Sequence, residues 1–235
     1  MKNLKIITTI LIALGVILLV NCKKDECENV PCGGSTSNPK VDLIVLVDAS
    51  GSMGTTASTV SQQADSAITL ALAQCPSDLR VTYLGVAGTW AGTKFTQGHK
   101  SYLTSIGAPF NSNANAHDGA MAIDDLSKNF DWRNGACKAI FFISDEIFTR
   151  GDSSIFNSAL NSANSNNVTI SANYLTYQNR PASVLQNYTD ITTQTGGSLF
   201  TTPSNPIPTG YYIANQVFDN LICNACNNCG INITK

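Results

Sequence analysis

Charge is scarce in this sequence, and histidine is scarcer. Charged side chains make up only 13% of the 235 residues, so the polar surface must be built largely from Asn, Ser and Thr. Acidic residues outnumber basic ones 16 to 14, which gives no electrostatic reason to expect nucleic acid as a partner. The two histidines are His99 and His117. Neither has the context of a Ser-His-Asp triad, and His117 reads as a surface loop residue. Ser52 lacks the Gly-x-Ser-x-Gly frame of a nucleophile elbow, because position 50 is not Gly. An aspartyl phosphatase would need a second Asp where Ser50 stands. The Ser/Thr/Gly-rich stretch 50–59 has no Lys to hold a phosphate, so it is not a P-loop. The expectation is therefore a protein that is not an enzyme.

No apolar run reaches the ~20 residues of a spanning helix. The longest, Ile6 to Val20, follows Lys2 and Lys5 and ends in Leu18-Leu19-Val20-Asn21-Cys22. This resembles a bacterial lipoprotein signal covering residues 1–21, in which Cys22 is diacylated and becomes the mature N-terminus. A plain secretory signal and an uncleaved anchor are the alternatives. Acyl chains on Cys22 would add ~0.8 kcal/mol per buried methylene, and several chains hold a protein on a membrane. The chain has eight cysteines, which favours an oxidising compartment. The expected location is the bacterial cell envelope, at the outer membrane or cell surface or facing the periplasm.

Residues 22–40 are polar, with Gly33-Gly34 and two prolines, and read as a tether. The pattern then changes. Val41 to Val47 and Ala139 to Ile143 are near-continuous apolar runs suited to strands covered on both faces. Val81 to Val86 and Val168 to Tyr174 are weaker strand candidates, and Lys94 to Thr96 and Ser198 to Thr201 are candidate short edge strands. Val60, Ala64, Ala67, Ile68, Ala71 and Cys75 recur at helical spacing. So do Val184, Leu185, Tyr188 and Ile191, with Pro181 placed for a first helical turn. Met121 to Leu126 and Ile155 to Ala163 suit helices too, and Ile213, Val217, Phe218 and Leu221 mark a last one. Alternation of this kind predicts an α/β fold, a doubly wound, mostly parallel sheet flanked by helices, over residues 41–222. Residues 223–235 read as a Cys-rich C-terminal tail.

The chemistry concentrates in Asp48-Ala49-Ser50-Gly51-Ser52, directly after the most apolar strand. Open α/β sheets bind ligands at the carboxyl ends of their strands. A carboxylate and two hydroxyls separated by small residues can aim their oxygens at one point. Hard oxygen ligands suit Mg²⁺, Mn²⁺ or Ca²⁺ rather than zinc. Gly51 is expected to let the backbone bend so that the hydroxyls converge.

Asp-x-Ser-x-Ser after a hydrophobic strand resembles the metal-ion-dependent adhesion site, or MIDAS, of the von Willebrand factor A family, shared with integrin ligand-binding domains. The resemblance covers about residues 41–222. It implies a Rossmann-like fold and a second aspartate at the end of the fourth strand, where Asp145 fits. It implies a further ligand from the loop before the third helix, for which Asp118 is the candidate, with a plain helix N-cap as its other reading. Another register would place Met121 there, and Met does not serve a hard cation. By the same resemblance Ser50 and Ser52 would bind the metal directly, while Asp48 and Asp145 would act largely through waters they orient. The ion expected is Mg²⁺ or Mn²⁺, with Ca²⁺ a further candidate. The partner expected is a protein that offers a carboxylate to the metal, with the membrane reached through the lipid anchor. A metal-independent scaffold or envelope assembly subunit on the same fold is the alternative function.

Seven cysteines remain besides Cys22: Cys27, Cys32, Cys75, Cys137, Cys223, Cys226 and Cys229. In a domain of this type the tether and the last helix lie near one another, so Cys27 and Cys32 are expected to pair within the group Cys223, Cys226 and Cys229. Cys75 and Cys137 both fall at the face opposite the metal and form a candidate pair. The odd number leaves one thiol over.

Overall fold

A computed structural model describes residues 38–148, 152–176, 178 and 180–231. The signal, most of the tether, and Cys22, Cys27 and Cys32 lie outside the described residues.

Among the described residues the strands are β1 (Lys40–Val47), β2 (Asp78–Gly85), β3 (Cys137–Ser144), β4 (Val168–Leu175) and β5 (Leu199–Thr202). They form one parallel sheet in the order β2-β1-β3-β4-β5. The helices are α1 (Gly54–Gln74), α2 (His99–Ser105), α3 (Gly119–Asn129), α4 (Ser153–Ser165), α5 (Ala182–Gln194), α6 (Tyr211–Ala214) and α7 (Val217–Ile231). The doubly wound α/β architecture expected from the alternating pattern is therefore present. Among the described residues no helix is long and apolar enough to cross a membrane.

Period-two alternation along β1 explains the two layers. Leu43, Val45 and Val47 enter one core with Met53, Ala57 and Val60 of the α1 side and Phe218, Leu221 and Ile222 of α7. Ile44 and Leu46 enter the other, with Ala122, Ile123 and Leu126 of α3 and Val184, Tyr188 and Ile191 of α5. A strand covered on both faces has no polar side to show, which is why β1 reads as a continuous apolar run.

Asp42 is the exception in that run. It is 1% exposed and sits at the N-terminal end of the strand. Arg80 donates to both of its oxygens, at 3.0 and 2.7 Å. Arg133 donates through Nε at 2.6 Å and through its backbone N–H at 2.7 Å. Burial pushes the Asp42 carboxyl up, but the Arg80 and Arg133 hydrogen bonds and the Arg80 charge outweigh it and hold it below the usual range.

Several local expectations differ. Lys94–Thr96 is not a strand. Phe95 is buried there, and its carbonyl accepts the Trp90 N–H at 2.8 Å, closing a loop instead. The short helix α2 carries too few apolar residues to announce itself in the sequence. The last helical pattern is split between α6 and α7, because Gln216 lies between them at φ +49°. Helix α7 then runs on through Cys223, Cys226 and Cys229 to Ile231, so the Cys-rich segment belongs to the domain's final helix rather than to a tail.

Cys137 is bonded to Cys229, with Cα atoms 5.5 Å apart. This replaces the expected Cys75–Cys137 pair. Cys137 opens β3, on which α7 packs, whereas the Cys75 sulfur faces Cys226.

Candidate functional site

The carboxyl ends of β1 and β3 lie side by side, with Val47 opposite Ile143. Each strand runs directly into an aspartate, Asp48 after β1 and Asp145 after β3, and both are 0% exposed. The backbone continues past Asp48 through Ser50, in extended conformation, into a short 3-10 turn, Gly51–Met53, that leads into α1.

That turn brings the hydroxyls together. Ser50 Oγ lies 3.1 Å from Ser52 Oγ, and Ser52 Oγ donates to Asp145 Oδ1 at 3.2 Å. Asp48 Oδ1 accepts the Ser50 N–H at 2.6 Å, and Asp48 Oδ2 accepts the Ser144 hydroxyl at 2.6 Å. Four of the five expected residues thus join in one hydrogen-bonded chain. Gly51 is not what permits this. A Cβ there would meet nothing within 4 Å, and Gly51 is not among the glycines with positive φ. The 3-10 turn supplies the convergence without a glycine-only conformation.

Asp118 stands on an adjoining loop. The Ala49 N–H donates to Ala116 O at 2.9 Å, which ties that loop to the one after β1. Asp118 is 4% exposed, and its Oδ2 accepts the Asn115 N–H at 2.6 Å. It occupies the N-cap position of α3 without a side-chain capping bond to the helix. The approach of α3 to β3 depends on Gly119, where a Cβ would lie 2.2 Å from the Phe142 ring. His117 is half-buried in the same loop. His99 is fully buried on α2, where its Nδ1 accepts the Ala87 N–H at 2.9 Å, a role in holding the loop after β2.

Three residues that the motif does not include complete the setting. Ser144 holds Asp48 as above, and its oxygen also accepts the Glu146 N–H at 3.0 Å. Gln178 donates to Asp145 Oδ2 at 3.0 Å, so both Asp145 oxygens are engaged. Asn205 donates to Ser52 O at 2.7 Å and accepts the buried Thr56 hydroxyl at 2.6 Å. Ser144 was visible beside Asp145 in the sequence. Gln178 and Asn205 come from loops with no motif to mark them.

The electrostatics are unusual for a buried carboxylate. Burial raises the Asp48 carboxyl to about 6; hydrogen bonds from Ser144 and Ser50 pull it back, and the Asp145 charge pushes it further up. Among the described residues, no arginine or lysine is among the leading influences on it. A cation would remove the penalty.

The donor set fits such an ion. It is entirely oxygen, as hard divalent cations require. In an octahedron with metal–oxygen bonds of 2.0–2.1 Å, neighbouring ligands lie about 3 Å apart. The Ser50–Ser52 separation of 3.1 Å approaches that edge. Among the described residues no group of three or more His, Cys, Asp or Glu could hold a metal, so a site depends on the hydroxyls.

No family model matches this chain. No curated protein matches it in sequence either. Solved structures with a similar course of the chain include an aerotolerance-related membrane protein from Bacteroides fragilis. It is 16% identical, with 76% of this chain and 98% of that one covered and a TM-score of 0.43. The VWA domain of SpRpn10 is 14% identical over 75% of this chain and 95% of that one, at a TM-score of 0.45. Proximal thread matrix protein 1 from the mussel byssus, with a zinc-occupied MIDAS motif, is 13% identical over 80% of this chain, at a TM-score of 0.46. This chain spans about half of that protein, 49% of its length.

Proposed function

We propose that the chain is a von Willebrand A-type binding module that recognises a protein through a divalent cation held at the carboxyl end of its sheet. The observation that carries this reading is the linked set Asp48, Ser50, Ser52 and Asp145, drawn from two strand ends into one oxygen cluster. Ser50 and Ser52 would hold the ion through their hydroxyls, with Asp118 as the ligand from the third loop. Asp48 and Asp145 orient the cluster: each accepts two hydrogen bonds that fix its oxygens. Mg²⁺ or Mn²⁺ suits the oxygen set, and Ca²⁺ is a further candidate. With few anionic ligands around it, the bound ion stays electrophilic and accepts a carboxylate from a partner protein. The module is not an enzyme in this reading. It is held at the bacterial envelope by lipid on Cys22.

A metal-independent scaffold is the second reading. It is favoured by the hydrogen bonds that already satisfy both carboxylates without an ion. Calorimetry with MgCl₂ and MnCl₂, paired with pull-down from envelope or host extract with and without chelator, separates the two. The metal reading expects heat at millimolar ion, loss of that heat in Ser50→Ala and Ser52→Ala, and loss of partner in chelator. No heat, with partner capture unchanged by chelator, selects the scaffold.

A further inference from the structure

The sheet ends on one side at β2. Lys94–Thr96 does not cover that edge, because the segment closes a loop on Phe95 instead. The parity of the ladder shows which backbone groups face outward. The Asp78 N–H donates to Pro39 O and the Val86 N–H to Val47 O, so the even-numbered residues of β2 turn toward β1. Leu79, Val81, Tyr83 and Gly85 turn the other way. Gly85 is covered, since its N–H donates to Gln97 O at 3.0 Å and it bridges Gly98. Among the described residues no backbone hydrogen bond reaches the outward groups of Leu79, Val81 and Tyr83. We propose that this edge pairs antiparallel with β2 of a second copy of the chain, about a two-fold axis at Val81, so that the sheet runs continuously through a dimer.

Edge strands are commonly protected by being short, charged or covered. β5, at the other side of the sheet, is only four residues long. β2 has eight residues, and its flank is apolar. Leu79, Val81 and Tyr83 are half-buried, as are Ile68 and Leu72 of α1, and all of them pack against the same core layer. Ser61 and Asp65 mark this side of α1. Ser61 Oγ accepts the Lys94 N–H, Asp65 pairs with the Lys94 ammonium at 2.9 Å, and that ammonium lies 5.3 Å over the Tyr83 ring. Ile68 and Leu72 continue the same side at helical spacing. The charges nearby are already matched. Arg80 is held by Asp42 and Asp131, and Lys94 by Asp65, so two copies meet without like-charge repulsion.

A copy of the same strand is the occupant this edge fits. In antiparallel pairing, outward residue meets outward residue, and each such pair exchanges both N–H···O bonds. With Val81 opposite Val81 of the second copy, Leu79 falls opposite Tyr83 and Tyr83 opposite Leu79. This register uses all the outward groups of the three residues and sets aliphatic against aliphatic and aromatic against aliphatic. A shift of two residues either way loses pairs, to the covered Gly85 on one side and to the end of the strand on the other. A peptide from another protein would satisfy the same groups but leave its own far edge open, whereas the two-fold contact leaves no edge at this side. The strands run in opposite directions across the axis, so the two Asp48 clusters lie at opposite ends of the joined sheet.

The test is sedimentation velocity and light scattering on the full chain in detergent, with the bound detergent mass subtracted, over a range of chain concentrations. The expected result is a dimer mass, with the Leu79, Val81 and Tyr83 amides exchanging with D₂O more slowly as the dimer forms. Val81→Lys and Val81→Glu each set like charges opposite one another across the axis. Each variant alone should be monomeric, and an equimolar mixture of the two should restore the dimer. Circular dichroism checks that both variants fold; where one does not, the concentration dependence of wild-type amide exchange decides alone. A monomer mass for the wild type at every concentration overturns the proposal. So does a dimer that Val81→Lys leaves intact, or a mixture that stays monomeric. Protection of these amides only when a foreign extended peptide is added would assign the edge to another protein and overturn it too.

Discussion

Asp48→Asn should make the metal-free domain more stable at neutral pH relative to the wild type than it is in acid. The folded domain raises the Asp48 carboxyl from 3.8 to about 6. A raised carboxyl means that the folded state binds the proton more tightly than the unfolded chain does. Below pH 3.8 both states are protonated and no penalty exists. Between 3.8 and about 6 the penalty grows, and above 6 it is complete. Its size is about 3 kcal/mol, from 1.36 kcal/mol for each pH unit of separation. Asparagine keeps the shape and one acceptor oxygen but carries no charge. Its amide must face Ser144 in place of an oxygen, and that hydrogen-bond exchange has a fixed cost at every pH. The stability difference between variant and wild type should therefore move by about 3 kcal/mol in favour of the variant between pH 3.5 and pH 8. In a domain of this size that is a relative Tm change of roughly 6–12 °C. The assay is denaturant and thermal unfolding of both proteins in chelator across that range. Adding Mg²⁺ at pH 8 should then stabilise the wild type and leave Asp48→Asn unmoved, because an ion that binds only the folded state adds RT ln(1 + [L]/Kd). A variant–wild-type difference that stays flat with pH would refute the electrostatic reasoning.

Removing the donor that holds the outer oxygen of Asp145, as in Gln178→Ala, should weaken Mg²⁺ or Mn²⁺ binding by about 10–100-fold in calorimetry. Asp42→Ala should destabilise the domain by about 1–3 kcal/mol in denaturant titration, because it removes the buried acceptor of Arg80 and Arg133, which keep Asp131 and Asp78 as partners. Asp42 titrates in the opposite sense to Asp48. Its folded value is lowered, so its contribution is complete above the unfolded carboxyl value and is lost as pH falls through the folded one, which acid unfolding of wild type against Asp42→Asn would measure. Gly119→Ala should cost about 1–3 kcal/mol, because its Cβ would overlap the buried Phe142 ring. Thermal unfolding should show the loss, and Phe142→Leu in the same chain should recover part of it.

The sheet was legible because burial on both faces writes itself into β1 and β3 as unbroken apolar runs, and helix spacing marked α1 and α5. What the pattern concealed has physical reasons. Lys94–Thr96 looked like an edge strand because Phe95 is apolar, yet that ring is buried from a loop, and periodicity over three residues does not separate the two cases. The break between α6 and α7 rests on one backbone angle at Gln216, a conformation any composition can hide. At the site, Asp48, Ser50, Ser52 and Asp145 were readable because each follows a strand end within a few residues. Gln178 and Asn205 reach it from far along the chain, and only the folded geometry joins them. The cysteine pairing failed for a related reason. Sequence position placed Cys75 and Cys137 at the same end of the sheet, but which sulfurs meet is set by α7 running on to Ile231.

Asp42 within β1 and Asp48 just after it make the electrostatic case for the proposed cation. Asp42 and Asp48 bracket one strand, and both are buried, at 1% and 0% exposure. At the Asp42 end the fold supplies two arginines, and the carboxyl is held below its ordinary value. At the Asp48 end the described residues supply a backbone N–H and a serine hydroxyl, set a second buried carboxylate nearby, and leave the carboxyl raised. A strand end that served packing alone would be more stable with an apolar residue or with a cation of its own, as the other end has. Neutral donors fix the Asp48 oxygens in place without neutralising them. In the proposed reading the compensating positive charge comes from solution, beside the paired hydroxyls of Ser50 and Ser52.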